Sequence, residues 1–299
     1  MMVIDTRNLR KCYGAHQALR GIDLRVPAGA LFGFLGPNGA GKTTAIRILL
    51  GLLRASGGSV TVLGRDPWCD GPQLRADIGY LPGDIRLYEN MTGRAVCTFL
   101  DRVRGRRSGD EISRLATRLN LDLSRRVRDY SKGMKQKLGV IQALAHRPRL
   151  LVLDEPSSGL DPLIQEVLHE ELRSAAGRGQ TVLFSSHTLK EVEDLCDRVA
   201  ILRDGRLIEQ DSIDALRKRA VRRVEMTFDA ASPPPRSVVE GLTIAHRADS
   251  RITGSWTGPL PRLLHWLADQ PLVDLTVAPP DLDDLFLAYY TDHDEQGVQ

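Results

Sequence analysis

No run of about 18 apolar residues, the length a membrane-spanning helix needs, occurs anywhere in the 299 residues. Met1–Arg10 lacks the apolar core of a secretory leader, which sets the expectation of a cytoplasmic protein. Cysteine is scarce: Cys12, Cys69, Cys97 and Cys196 are scattered, and no pair has zinc or redox spacing. They are expected to be small buried or half-buried thiols in a reducing compartment. Net charge is low, at +3, and the basic runs Arg102–Arg107 and Arg217–Arg223 read as solvated faces rather than nucleic-acid sites. There is no internal repeat and no low-complexity tract. With 42% hydrophobic and 26% charged residues, the composition is that of a globular protein whose core needs no disulfides.

The apolar residues come in short runs. Leu31–Leu35, Ile78–Leu81, Leu150–Leu153 and Val182–Phe184 are nearly continuous, as strands buried on both faces of a parallel sheet are. Between them, Thr43–Leu53, Gly133–Ala145 and Leu163–Ala176 have helical spacing. The alternation predicts an α/β fold. After about Ala215 the pattern changes. Strands are expected at Val224–Phe228, near Leu242–Ala245 and at Leu272–Val277, with helices at Pro261–Asp269 and Leu282–Tyr290 and a proline-rich break at Ser232–Pro235. This predicts a domain over residues 1–214 and a small α+β appendage over 215–299, ending in a polar tail after Thr291.

Gly36-Pro37-Asn38-Gly39-Ala40-Gly41-Lys42-Thr43 fits G-x-x-x-x-G-K-[ST], with an apolar strand running in and a helix running out through Thr44. Glycines let backbone N–H groups approach phosphate oxygens, and the helix N-terminus adds donors and a positive dipole end. Lys42 supplies a charge for the β- and γ-phosphates, and Thr43 a hydroxyl for Mg²⁺. The run Leu150–Glu155 is an apolar strand ending in two acids, at the strand end where ligands bind in such sheets. Asp154 suits a Mg²⁺ ligand and Glu155 a general base on the attacking water. Val182–His187 repeats the arrangement and places His187 beside the phosphate loop, to contact the γ-phosphate and orient the water.

Over roughly Val3 to Ile213 the chain resembles the ABC ATPases, which implies a P-loop NTPase cassette with a helical subdomain at about residues 84–145. Tyr13 sits where the family places an aromatic on adenine. Tyr130-Ser-Lys-Gly-Met134 fills the slot of the signature usually written L-S-G-G-Q, and Ser158-Gly-Leu-Asp161 and His187 match the loop after the glutamate and the switch histidine. Ser131 can cap the following helix, leaving N–H groups around Gly133 as an anion site. The resemblance assigns that anion to ATP on a second subunit, and the single phosphate loop here then requires a second ATPase domain, most simply another copy of the chain. It also implies ATP and Mg²⁺ as cofactors, a separate integral-membrane permease as partner, and a place at the inner face of the membrane.

Two positions depart from the family. Lys132 and Met134 replace the commoner Gly and Gln of the signature. Gly83 stands where the family carries a glutamine that touches Mg²⁺ or water and links hydrolysis to the permease; Asp84 or a backbone group is expected to take over. The segment Ile85–Thr92 and the helices up to about Leu123 look like the part that receives a permease. The cassette type, and the ending Pro280–Phe286, are similar to bacterial type-2 ABC exporters, many of which move drugs, antibiotics or lipids. Importer ATPases and soluble ABC proteins acting on DNA or ribosomes are the alternatives.

Overall fold

The polar opening of the chain folds as an antiparallel sheet. In the computed structural model, which describes residues 1–219, 221–229, 235 and 238–278, β1 (Met2–Tyr13) turns at Gly14 into β2 (His16–Ile22) and also pairs with β3 (Arg25–Pro27). β4 (Leu31–Leu35) then runs fully buried into α1 (Lys42–Leu49), and β5 (Gly57–Val62) returns to pair with β1. α1 ends at Leu49 rather than at the expected Leu53, because Gly51 turns left-handed at φ 63°.

α2 (Gly71–Ala76) leads to β6 (Ile78–Leu81). A helical stretch follows: α3 (Gly93–Arg104), capped by the Thr92 hydroxyl accepting from the Ala95 amide; α4 (Gly109–Arg118); and α5 (Lys132–Leu144), capped by Ser131. β7 (Leu150–Asp154), α6 (Pro162–Gly177), β8 (Thr181–Ser186), α7 (Leu189–Leu195), β9 (Arg198–Arg203) and β10 (Arg206–Ser212) complete the alternation. Asp161 caps α6 by accepting from the Ile164 amide at 3.0 Å, and Pro162 starts the helix.

The strands assemble as a six-stranded sheet in the order β10-β9-β4-β8-β7-β6. All its pairs are parallel except the antiparallel β9–β10 edge. Register does the positioning: Leu35 lies opposite Ser186, and Asp154 opposite Ser185. The loops leaving β4, β7 and β8 therefore open on one edge of the sheet. Behind them Phe32, Phe34, Leu150, Val152 and Leu183 share one core with α1 and the antiparallel sheet. Each such fully buried side chain contributes roughly 2–3 kcal/mol of transfer free energy.

The chain divides into two compact units, Met1–Ile213 and Asp214–Gln299. After α8 (Ile213–Arg219), the second unit forms β11 (Arg222–Phe228), β12 (Leu242–Arg247), β13 (Arg251–Trp256), α9 (Leu260–Ala268) and β14 (Leu272–Val277). The sheet order is β12-β13-β11-β14, and alternate residues Val224, Met226, Phe228, Ile252 and Trp256 face a core closed by Leu263 and Leu267 of α9. The expected helix Leu282–Tyr290, the ending Pro280–Phe286 and the tail after Thr291 lie outside the described residues, as do Ser232–Pro234 of the proline-rich break. The cysteines differ from expectation: Cys97 and Cys196 are buried, but Cys12 and Cys69 are exposed, all four as free thiols.

Candidate functional site

α1 begins at the phosphate loop without a side-chain cap and without an acid in its first turn, so its amides and positive dipole end stay uncompensated. Gly41 is required there: its φ is 107°, and a Cβ would lie 2.7 Å from the Ala18 carbonyl. A cleft of about 240 Å³ opens over the loop, lined by Tyr13, Pro37, Asn38, Gly39, Gly41, Lys42, Thr43, Thr44 and Glu155. His16 and Ala18 of β2 line it too. No motif flagged them, because strand pairing with β1, not sequence spacing, brings them beside Tyr13. Two loop residues do not line the cleft. Ala40 is buried, and Gly36 packs so tightly that a Cβ would meet the Leu202 carbonyl at 2.3 Å. This packing fixes the shape of the loop.

Lys42 is only 6% exposed and its ammonium donates to the carbonyls of Gly36 and Pro37, with Glu155 Oε1 at 3.9 Å. Burial pulls the Lys42 pKa down; the charges of Glu155 and Asp154 oppose that fall. The Thr43 hydroxyl donates to Asp154 Oδ2 at 2.9 Å, and the Ser185 hydroxyl donates to Asp154 Oδ1 at 2.6 Å. Ser185 thus orients the carboxylate, a role that strand register alone reveals.

Thr43 and Asp154 offer oxygen donors only, and among the described residues no His, Cys, Asp or Glu cluster could enclose a metal. That donor set suits a hard cation that keeps waters and phosphate oxygens as ligands, as Mg²⁺ does.

Glu155 has φ 50°, a left-handed conformation that costs a non-glycine residue roughly 1–2 kcal/mol. Its surroundings hold it there. Its amide donates to the Ser185 carbonyl and hydroxyl at 3.2 and 3.1 Å. From α5, Gln136 Nε2 donates to the carbonyls of Glu155 and Pro156 at 3.2 and 2.9 Å. Strain over-determined in this way is what positions a reactive side chain. His187 Nδ1 lies 3.5 Å from Glu155 Oε1, with its ring largely exposed. Its loop is held by Ser186, whose hydroxyl donates to Glu191 Oε2 at 2.6 Å and accepts from the Thr188 amide at 2.9 Å. Tyr13 is 47% exposed, with the Lys11 ammonium 5.2 Å from its ring centre.

Ser131 and Gly133 do not line this cleft. Ser131 Oγ accepts from the Met134 amide at 3.2 Å, and Gly133 packs so closely that a Cβ would meet the Gly159 carbonyl at 2.7 Å. Within one chain they form a separate surface, backed by the loop that follows Glu155. Asp84 is 84% exposed and pairs with Arg86 at 3.5 Å.

Two further cavities lie nearby, the first sharing Thr43 and Glu155 with the cleft and the second sharing Tyr80 with the first. One, beside Asp154, is lined by Thr43, Arg47, Tyr80, Gly83, Asp84 and Glu155 among others. The second is a largely apolar groove bounded by Leu50, Leu52, Ala76, Ile78, Tyr80 and Val103, with Arg75 and Arg104 at its sides.

The family profile described as "ABC transporter" matches residues 19–158. The bacitracin transport ATP-binding protein BcrA of Bacillus licheniformis is 36% identical over 73% of this chain and 72% of its own length. The Nod factor export ATP-binding protein I of Cupriavidus metallidurans is 36% identical over 70% of each. A solved structure described as the ATP binding subunit of an ABC transporter superposes with a TM-score of 0.67 at 31% identity, over 73% of this chain and 92% of that one.

Proposed function

The chain belongs to the ABC transporter ATP-binding family, and from that premise we propose that it is the ATP-hydrolysing subunit of an exporter, acting as a pair of copies on a separate membrane permease. The observation that carries the reading is the convergence of Lys42, Thr43, Asp154, Glu155 and His187 at the ends of three adjacent parallel strands. The loop amides and Lys42 hold the phosphates, and Tyr13 offers its exposed face to the base. Thr43 and Asp154 hold Mg²⁺, which supplies charge neutralisation for the β- and γ-phosphates when bound. Glu155, fixed by Ser185 and Gln136, takes the proton from the attacking water. His187, beside Glu155, orients that water and the γ-phosphate.

Ser131 and Gly133 belong to the other half of the machine. They sit on a helix N-terminus away from Lys42, so they serve a nucleotide held by a second copy. Among the described residues no helix is long and apolar enough to cross a membrane, which agrees with a permease on a separate chain. In this reading the groove between Leu52 and Val103 receives a helix of that permease. Its apolar lining suits an amphipathic helix, and Arg75 and Arg104 suit an acidic flank. The relatives' names, bacitracin transport and Nod factor export, favour an antibiotic- or drug-like cargo moved outward.

Glu155→Gln is expected to abolish turnover, measured as phosphate release, while ATP still drives dimerisation on size-exclusion chromatography. The loss expected for a general base is about 10²–10⁴-fold. Hydrolysis by the Gln variant at the parental rate refutes the assignment.

A further inference from the structure

The cavity beside Asp154 and the apolar groove share one lining residue, Tyr80. Tyr80 lies on β6, opposite Val152 of the strand that ends in Asp154. Tyr80 therefore borders both the apolar groove and the cavity that holds the carboxylate receiving the Thr43 hydroxyl.

Gly83 makes this shared border matter. Its φ lies outside the left-handed region, and a Cβ there would meet nothing nearer than Asp154 Oδ2 at 3.5 Å, an ordinary contact. Neither backbone nor space therefore demands glycine. Gly83 sends no side chain toward Asp154. Asp84 borders the same cavity, but it is 84% exposed and paired with Arg86. The residue that the groove and the Asp154 cavity share is Tyr80.

We propose that Tyr80 is the positioning residue through which occupancy of the groove is felt at Asp154. This rests on the reading that the groove receives the permease. An occupant pressing on the ring from the groove side shifts it against the Asp154 cavity, and so alters the geometry that Thr43 and Asp154 offer the cation. The hydroxyl is raised to about 12, first by burial and then by the charge of Asp154, so the side chain stays neutral throughout.

The test uses the full chain and needs no permease. Cys12 and Cys69, the two exposed thiols, are changed to Ser, and the thiol introduced by Leu52→Cys in the groove is labelled with N-ethylmaleimide as a fixed occupant. The buried Cys97, its thiol pushed up to about 12, stays inert. Mn²⁺ affinity in the presence of ADP is then read by electron paramagnetic resonance, with and without label. The label is expected to change that affinity roughly fivefold or more. Tyr80→Phe, which keeps the ring, retains the change, and Tyr80→Leu abolishes it; Tyr80→Met replaces the Leu variant should that one not fold. No effect of the label in the Tyr80 chain, or the same effect in the Leu or Met variant, overturns the proposal. Docking is read separately, by cross-linking through the thiol of the Leu52→Cys variant in membranes that contain the intact transporter. Failure there removes the docking reading, while the Mn²⁺ result still decides the role of Tyr80.

Discussion

Two glycines show how differently one residue type is constrained in this site. At Gly133 a Cβ would press into the Gly159 carbonyl at 2.7 Å, and backbone does not yield as a flexible side chain does. At Gly83 the nearest atom would be 3.5 Å away and φ is ordinary. Gly133→Ala is expected to cost about 1–3 kcal/mol by forcing α5 away from the loop after Glu155. Gly83→Gln is expected to fold with stability within about 1 kcal/mol of the parent, helped by a less flexible unfolded chain. Its amide reaches the Asp154 cavity, so its Mn²⁺ affinity with ADP is expected to rise. Urea unfolding of both variants and a Mn²⁺ titration of the second check these outcomes. An unfolded Gly83→Gln protein would show that the cavity is not the open space described.

Between elements, the strongest charge network joins α4 to α6. Arg114 donates to both oxygens of Glu171, at 2.8 and 2.6 Å, and also to Glu111 at 2.8 Å. Arg118 reaches Glu171 at 2.8 Å and also pairs with Glu170, while Arg147 holds Glu111 at 3.1 Å. Glu171 is only 2% exposed, whereas the two arginines are about 40% exposed. The full cost of breaking a buried pair, about 3–5 kcal/mol, is therefore screened here. Glu171→Gln is expected to cost about 1–3 kcal/mol in urea unfolding, and the deficit is expected to narrow in high salt. The links from α4 to α6 were not legible in the sequence, where Arg114 and Glu171 stand 57 residues apart. What was legible shares one property: its signal is local. Buried parallel strands are continuous apolar runs, and β4 and β6 lie where such runs predict them. The phosphate loop is a contiguous motif. Polar or glycine-bearing antiparallel strands such as β1 and β13 carry no run and escaped notice. Ser185, Gln136 and Tyr80 owe their places to register and packing, which spacing does not encode.

Across the whole molecule, two separate cores make acid a selective probe. His146 follows α5, 8% exposed, and burial first, then the charge of Arg104, lowers its pKa to about 4. In the unfolded chain it titrates near its ordinary 6.5. Between these values the unfolded state binds a proton that the folded state refuses, so stability falls as pH falls from 6.5 toward 4. The loss amounts to about 3 kcal/mol at the lower end. His169 is also lowered, mainly by burial, and acts in the same direction. Glu171 and Glu111 are held below their ordinary 4.5 by arginine hydrogen bonds, so their stabilisation is lost only below that pH. The window above about pH 4.5 therefore belongs to the histidines. Both lie in the first unit, whereas Trp256 is buried in the core of the second. Hydrogen exchange of the Leu150–Asp154 amides is expected to quicken as pH falls from 6.5 to 4.5, after correction for intrinsic rates, while Trp256 fluorescence stays level. His146→Leu is expected to flatten most of that slope. An unchanged slope in the Leu variant would shift the acid sensitivity to His169, whose own substitution would then have to remove it.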